Sequence, residues 1–306
     1  MEEELLRFVA FLRDKRHMAQ NTLISYERDL RQLTEWLADC GVREPQQVQG
    51  TLLNSYILWL EKKGRAATTV SRVIASVKAF FAFEEKEGRI RQNPAKVLKA
   101  PKAEKKRPTV LTAEEIEALL CRTEGKTPKR LRDRAMLTLL CATGLRVSEV
   151  ISLRLEDIRL ESCCVSCRCE GERERVLSFG QEAQSALRCY LAEARGALLK
   201  GGGTDLLFVN VSGTAMSRQG FWKIIKYYGE QAGIRKDITA QTLRNSFAAS
   251  MLSSGADMRA MQNMLGHSEL SVTHAYVSYI SAEGQRRTNA GHRSASAVLR
   301  QRSGGR

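Results

Sequence analysis

The chain has 306 residues, of which 43% are hydrophobic and only five are proline, enough apolar material for two globular domains with separate cores and too much for a disordered polymer. No apolar run approaches the ~20 residues of a membrane span, and the opening Met1-Glu2-Glu3-Glu4 is acidic where a secretion signal is basic, so a membrane protein is excluded and the chain is placed in the cytoplasm. The formal net charge of +15 exceeds what solubility asks for and points to a polyanionic partner, nucleic acid first.

The first hundred residues read as helices separated by short breaks. Asn21 stands at an N-cap position, and Leu23, Tyr26, Leu30, Leu33 and Leu37 recur at helical spacing up to Gly41. A second stripe runs from Leu52 through Ile57 and Leu60 to Gly64, and a third starts at Thr68 or Thr69 and carries Val73, Val77, Phe80, Phe81 and Phe83 to Gly88. These stripes predict a small helical bundle over residues 1–88. The composition then changes: Arg89, Arg91, Lys96, Lys99, Lys102, Lys105, Lys106 and Arg107 stand against one acid, Glu104, and Pro94, Pro101 and Pro108 oppose any helix. Residues 89–108 therefore read as a basic, extended linker whose charges are placed to lie along phosphates.

A second domain, residues 109–280, opens with the capping box Thr112-Ala113-Glu114-Glu115 ahead of Ile116, Leu119 and Leu120. A helix from about Arg132 to Thr143 ends at Gly144, and another follows with Val147, Val150 and Leu153. Over residues 157–179 the period shortens, with Ile158, Leu160, Val165, Val176, Leu177 and Phe179 and a polar tip from Glu170 to Arg175, which predicts a small antiparallel sheet. Four of the eight cysteines crowd into Cys163-Cys164-Val165-Ser166-Cys167-Arg168-Cys169. Alternation sets Cys163, Val165, Cys167 and Cys169 on one strand face as small hydrophobes, and Cys164 and Cys167 make only half of a zinc knuckle, so reduced thiols without metal are expected. Helices return after Glu182. They are interrupted by Gly201-Gly202-Gly203, which has no phosphate-loop lysine beside it, and residues 281–306 form a polar, basic tail.

In chain order the second domain carries Ala142-Thr143-Gly144-Leu145-Arg146, Thr242-Leu243-Arg244, Leu265-Gly266-His267-Ser268 and then Tyr276. Taken singly, each has an ordinary explanation as a surface charge, a helix-end polar group or a half-buried aromatic. Taken together they suit a phosphodiester. Two arginines fork onto phosphate oxygens and stay ionised, a histidine hydrogen-bonds a nonbridging oxygen or takes the tyrosine proton, and a tyrosine hydroxyl attacks phosphorus. Glu149, on the same helical face as Arg146, is placed to hold its guanidinium. The Gly-Leu-Arg-Val-Ser-Glu and Leu-Arg-Asn-Ser-Phe-Ala settings of the arginines, Leu-Gly-His-Ser before Tyr276, and Asn93-Pro94-Ala95 after the third N-terminal stripe resemble the tyrosine recombinase (phage integrase) family, most closely its Xer-like members. The resemblance runs over nearly the whole chain.

That resemblance implies a mainly α (α+β) fold: an N-terminal helical, SAM-like core-binding domain and a C-terminal, mainly helical catalytic domain with a small antiparallel sheet, together a C-shaped clamp on double-stranded DNA. It implies cleavage and rejoining through a 3′-phosphotyrosyl link at Tyr276, with Arg146, Arg244 and His267 on the scissile phosphate. No metal or other cofactor is implied, and the chain is expected to work in a homo- or hetero-tetrameric synapse and to be monomeric when free. Two positions depart from the pattern. The hairpin lysine that protonates the leaving oxygen in similar proteins is matched by Glu170, within Cys169-Glu170-Gly171-Glu172-Arg173, and no lysine occurs from 130 to 199. Gln241 stands three residues before Arg244, where a histidine or lysine is expected, and its amide donates a hydrogen bond but carries no proton between groups. Loss of a general acid typically slows such a step about 10²- to 10⁴-fold. Two functions follow: an active site-specific recombinase, or a cleavage-impaired DNA-binding relative acting as an architectural or regulatory partner.

Overall fold

Apolar residues at three- and four-residue spacing fold the N-terminal part into four helices, α1 (Glu2–Asp14), α2 (Gln20–Asp39), α3 (Gly50–Lys62) and α4 (Ala67–Lys86). The computed structural model describes residues 1–101, 108–168 and 174–266 of a chain that divides into two units, Met1–Lys105 and Lys106–Arg306. Leu5 and Phe8 of α1, Leu30, Leu33 and Leu37 of α2, Leu53 and Leu60 of α3, and Val73, Val77, Phe80 and Phe81 of α4 share one buried core. Within it Phe8 meets Phe80 edge-on at 5.6 Å, an arrangement worth about 1 kcal/mol beyond the area it buries. Ala19 rather than Asn21 occupies the N-cap of α2, so the asparagine lies inside the first turn. An ion pair between the buried Asp29 and Arg72 ties α2 to α4.

Residues 90–98, expected to be part of an extended linker, instead fold back onto this bundle. Ile90, Ala95 and Leu98 enter the same core. Pro94–Val97 makes one 3-10 turn, capped by Asn93 Oδ1, which accepts from the Ala95 amide at 2.8 Å. The Asn93 amide and Lys96 Nζ both donate to Glu85 Oε1, at 3.1 and 2.8 Å. Pro94 fits because it opens the turn, where no amide donor is needed. Arg91, Lys96 and Lys99 remain exposed.

In the second unit α5 (Ala113–Cys121) carries the expected capping box: Thr112 Oγ1 accepts from the Glu115 amide at 3.3 Å and Glu115 Oε2 from the Thr112 amide at 2.8 Å. The next helix, α6 (Pro128–Thr143), starts at Pro128 rather than near Arg132, because Thr127 caps it and proline is pre-set for the first helical position. Ala135, Met136, Leu137, Leu139 and Leu140 make α6 the buried axis of this unit. Arg132 and Asp133 pair inside it at 2.6 Å, and Tyr228 donates to Asp133 at 3.1 Å. Gly144 closes α6 in the left-handed region, φ +63°, and α7 (Val147–Ser152) follows.

The antiparallel sheet comprises β1 (Ile158–Arg159), β2 (Cys164–Arg168) and β3 (Glu174–Ser178), in the order β1-β2-β3. Val165 pairs with both Ile158 and Leu177, and Cys167 pairs with Arg175. Glu174 and Arg175, expected in the polar tip, therefore belong to β3; a run of charges marks a turn by composition, but alternation sets Arg175 on the face of the buried Leu177. Then come α8 (Gln181–Cys189), running through a π turn at Tyr190–Ala194 into α9 (Arg195–Leu199), followed by α10 (Arg218–Gln231), α11 (Ala240–Ser253) and α12 (Met258–Leu265). Because α11 packs on α6, and α12 on both α11 and β3, the end of α6, the start of α7, β3 and the end of α12 converge. No helix among the described residues is long and apolar enough to cross a membrane.

The fold of residues 90–98 predicts that Leu98→Ala lowers the urea midpoint of the N-terminal unit, followed through Trp36 and Trp59 fluorescence, by the equivalent of about 2–5 kcal/mol. An unchanged midpoint would make this segment a tether.

Candidate active site

Two glycine turns form the floor of the convergence. Gly144 and Gly266 end α6 and α12 with φ of +63° and +61°, a conformation glycine adopts without penalty. A Cβ on Gly144 would lie 2.4 Å from Phe247 Cδ1, and one on Gly266 would lie 1.9 Å from Arg175 Nη1 and 3.3 Å from Arg146 Nη1. Glycine is thus favoured at Gly144 by backbone and by the Phe247 ring, and at Gly266 by backbone, where a Cβ would also displace the ends of two arginine side chains.

The arginines close over these turns. Arg244 of α11 is 3% exposed; its Nη1 donates to the Gly144 carbonyl at 2.6 Å and its Nη2 to the Leu265 carbonyl. Arg146 stands at the head of α7, where its amide donates to Glu149 Oε2 at 2.6 Å, its Nη1 to Glu149 Oε1 at 3.0 Å, and its Nη2 to the Gly266 carbonyl at 2.5 Å. Glu149 Oε2 also accepts from Arg175 Nη2 at 2.7 Å. One carboxylate therefore fixes a helix start and two guanidiniums. The Glu149 and Arg175 side chains are each 10% exposed, whereas Arg146 is 41% exposed and forms the solvent-facing edge. Three guanidiniums with one carboxylate leave this cluster a net charge of +2, a chemistry suited to an anion carrying oxygen acceptors.

Gln241, exposed in the first turn of α11, donates from Nε2 to Asn245 Oδ1 at 2.8 Å, and Asn245 Nδ2 donates to the Thr109 carbonyl at 3.1 Å. The structure thus brings Arg146, Glu149 and Arg244 together, with Gln241 one turn before Arg244. Glu170, His267 and Tyr276 lie outside the described residues, as do Lys102, Lys105, Lys106 and Arg107. His267 directly follows Gly266, the residue whose carbonyl Arg146 holds. Arg91, Lys96 and Lys99 sit in the N-terminal unit, with Lys96 engaged by Glu85. Arg175 is the member that the sequence analysis missed. Its available signal was alternation, which places a charge in register with Leu177 on an inward face.

The phage integrase family matches residues 109–282, and the phage integrase N-terminal SAM-like domain matches residues 5–88. The chain belongs to this family, the tyrosine recombinases. Its relatives include tyrosine recombinase XerD of Halalkalibacterium halodurans, 40% identical over 277 residues that cover 90% of this chain and 93% of the relative. Tyrosine recombinase XerC of Roseiflexus sp. (strain RS-1) is 38% identical over 279 residues, covering 90% and 89%. The fold is shared with solved structures: the XerH site-specific recombinase bound to palindromic difH substrate (22% identity, TM-score 0.74, covering 89% of this chain and 80% of that one) and a lambda integrase dimer bound to a COC′ core site (17%, 0.71, 90% and 94%).

Glu149→Gln keeps the shape and removes the charge that balances Arg146 and Arg175. It should lower the thermal stability of the second unit by about 3 kcal/mol, the scale for a buried ion pair deprived of one partner. An unchanged midpoint would mean that packing alone holds the arginines.

Proposed function

We propose that this chain is a site-specific DNA recombinase that cleaves and rejoins duplex DNA through a 3′-phosphotyrosyl intermediate at Tyr276. The observation that carries this reading is the tie of Arg146 and Arg244 to the Gly144 and Leu265-Gly266 turns, with Glu149 at its centre and His267 next in the chain. Guanidiniums fixed by backbone carbonyls need no reorganisation when charge builds on a pentavalent phosphorane, and fixed dipoles and charges of this kind give the largest share of transition-state stabilisation in many enzymes. Tyr276 attacks phosphorus and the 5′ oxygen leaves. The phosphotyrosyl link keeps the energy of the broken bond for rejoining.

Duplex DNA as partner is supported by the net charge of +15 and by relatives of the same fold bound to DNA. Arg91, Lys96, Lys99, Lys102, Lys105, Lys106 and Arg107 contact backbone phosphates in this reading and so contribute salt-dependent affinity rather than sequence choice. Residues 1–88 serve as the core-binding domain, 109–280 as the catalytic domain and 281–306 as a basic tail, within a tetrameric synapse.

Glu170 and Gln241 favour a second reading, a DNA-binding relative with impaired cleavage, because a carboxylate where a proton donor belongs repels the phosphate. A nicked suicide duplex, carrying inverted half-sites that the protein itself selects from random sequence, separates the two. The expected result is a denaturation-resistant adduct with the wild type, none with Tyr276→Phe, and a rate raised about 10²-fold or more in Glu170→Lys. No wild-type adduct, with recovery in Glu170→Lys alone, selects the second reading. Absence of binding at low salt contradicts both.

A further inference from the structure

Arg175 holds three N–H groups left unanswered among the described residues. The guanidinium is nine-tenths buried and one edge is bound to Glu149. Its Nε and Nη1, however, find no hydrogen-bond partner among the described residues. A buried donor without an acceptor is destabilising, the more so when charged. If the role of Arg175 were only to balance Glu149, Arg146 already does so through the other carboxylate oxygen. An arginine in register with Cys167 and on the face of Leu177 stands where a strand normally buries an apolar side chain.

The unpaired edge is covered rather than open to solvent, and its Nη1 faces the turn that carries Gly266. The point where a Gly266 Cβ would stand lies 1.9 Å from Arg175 Nη1 and 3.3 Å from Arg146 Nη1, so the two guanidiniums meet over the same glycine. Resting on the recombinase reading above, we propose that Arg175 is a third phosphate-binding arginine, donating from Nε and Nη1 to a nonbridging oxygen of the scissile phosphate. It supplies charge and stays protonated, since a guanidinium is no proton donor at neutral pH. In the step it assists, the bond from Tyr276 oxygen to phosphorus forms, the bond from phosphorus to the 5′ oxygen breaks, and the tyrosine proton ends, in net terms, on the leaving oxygen. The net +2 of the cluster matches the dianionic phosphorane. In this proposal β3 supplies a cation, whereas the resemblance places a lysine at the sequence position of Glu170.

The test is a binding cycle that needs no cleavage. In the Tyr276→Phe protein, with Arg175 intact or as Arg175→Gln, affinity is measured for the protein-selected duplex carrying an uncharged methylphosphonate at each backbone position in turn. A direct contact predicts that Arg175→Gln weakens binding of the all-phosphate duplex about 10-fold or more, and by less than about 2-fold when the methylphosphonate occupies the scissile position. Equal weakening of both duplexes, or of neither, overturns the proposal and leaves Arg175 as a structural partner of Glu149. Should Arg175→Gln fail to fold, Arg175→Lys, which keeps the charge and loses the fork, is read the same way: a smaller coupling confined to that position supports the contact and its absence overturns it. A wild-type adduct without coupling removes Arg175 alone. Coupling without any adduct removes the cleavage reading and keeps the contact, whereas absence of DNA binding overturns both.

Discussion

The site depends on one carboxylate. Glu149 accepts from the Arg146 amide and guanidinium and from Arg175, so the start of α7, the solvent-facing Arg146 and β3 are referred to a single group. A buried ion pair of this kind is a weak source of stability, because desolvation of its members offsets most of their attraction. Its use lies in geometry. Once Arg244 is counted the cluster holds two more guanidiniums than it neutralises, and hydrogen bonds within the fold set the positions of these charges.

The fold supplies the remaining constraints through its helix ends. The carbonyls of Gly144, Leu265 and Gly266, left over where α6 and α12 stop, accept from Arg244 and Arg146. Groups that would otherwise be orphaned at helix termini thereby become anchors for cations. Both turns need left-handed backbone and room for a neighbouring side chain, which favours glycine at each. Buried α6 fixes one turn, and α12, packed on α11 and β3, fixes the other.

The helical stripes of the N-terminal bundle, the Thr112 capping box, the end of α6 at Gly144 and the small sheet were legible in the sequence, because each rests on local periodicity or a local cap. The Arg146–Glu149 contact was legible for the same reason, since the two share a helical face. Arg244 and the Gly144 carbonyl are a hundred residues apart, and no spacing reveals their bond. Residues 90–98 misled because proline and charge dominate their composition, whereas Ile90, Ala95 and Leu98, three apolar residues at irregular intervals, decide their placement. Arg175 was hidden within a charged run that composition assigns to a turn. Its neighbours in register, rather than its own type, show that it points inward. The start of α6 was set by a cap and a proline ahead of the apolar period, which is where periodicity carries no information.

In the proposed reaction the two departures bear on different needs: Gln241, engaged with Asn245, would keep hydrogen bonding without proton transfer, and Glu170 would stand where a proton donor is expected. The electrostatic stabilisation proposed for Arg146, Arg175 and Arg244 depends on neither. A crystal structure of the protein on a nicked duplex, with vanadate joining Tyr276 to the free 5′ hydroxyl, would show the transition-state geometry itself. The arrangement proposed here requires the tyrosine oxygen at an apical position and nitrogens of all three arginines within about 3 Å of the equatorial oxygens. Vanadate bound away from the three guanidiniums, or with Tyr276 off the apical axis, would contradict it.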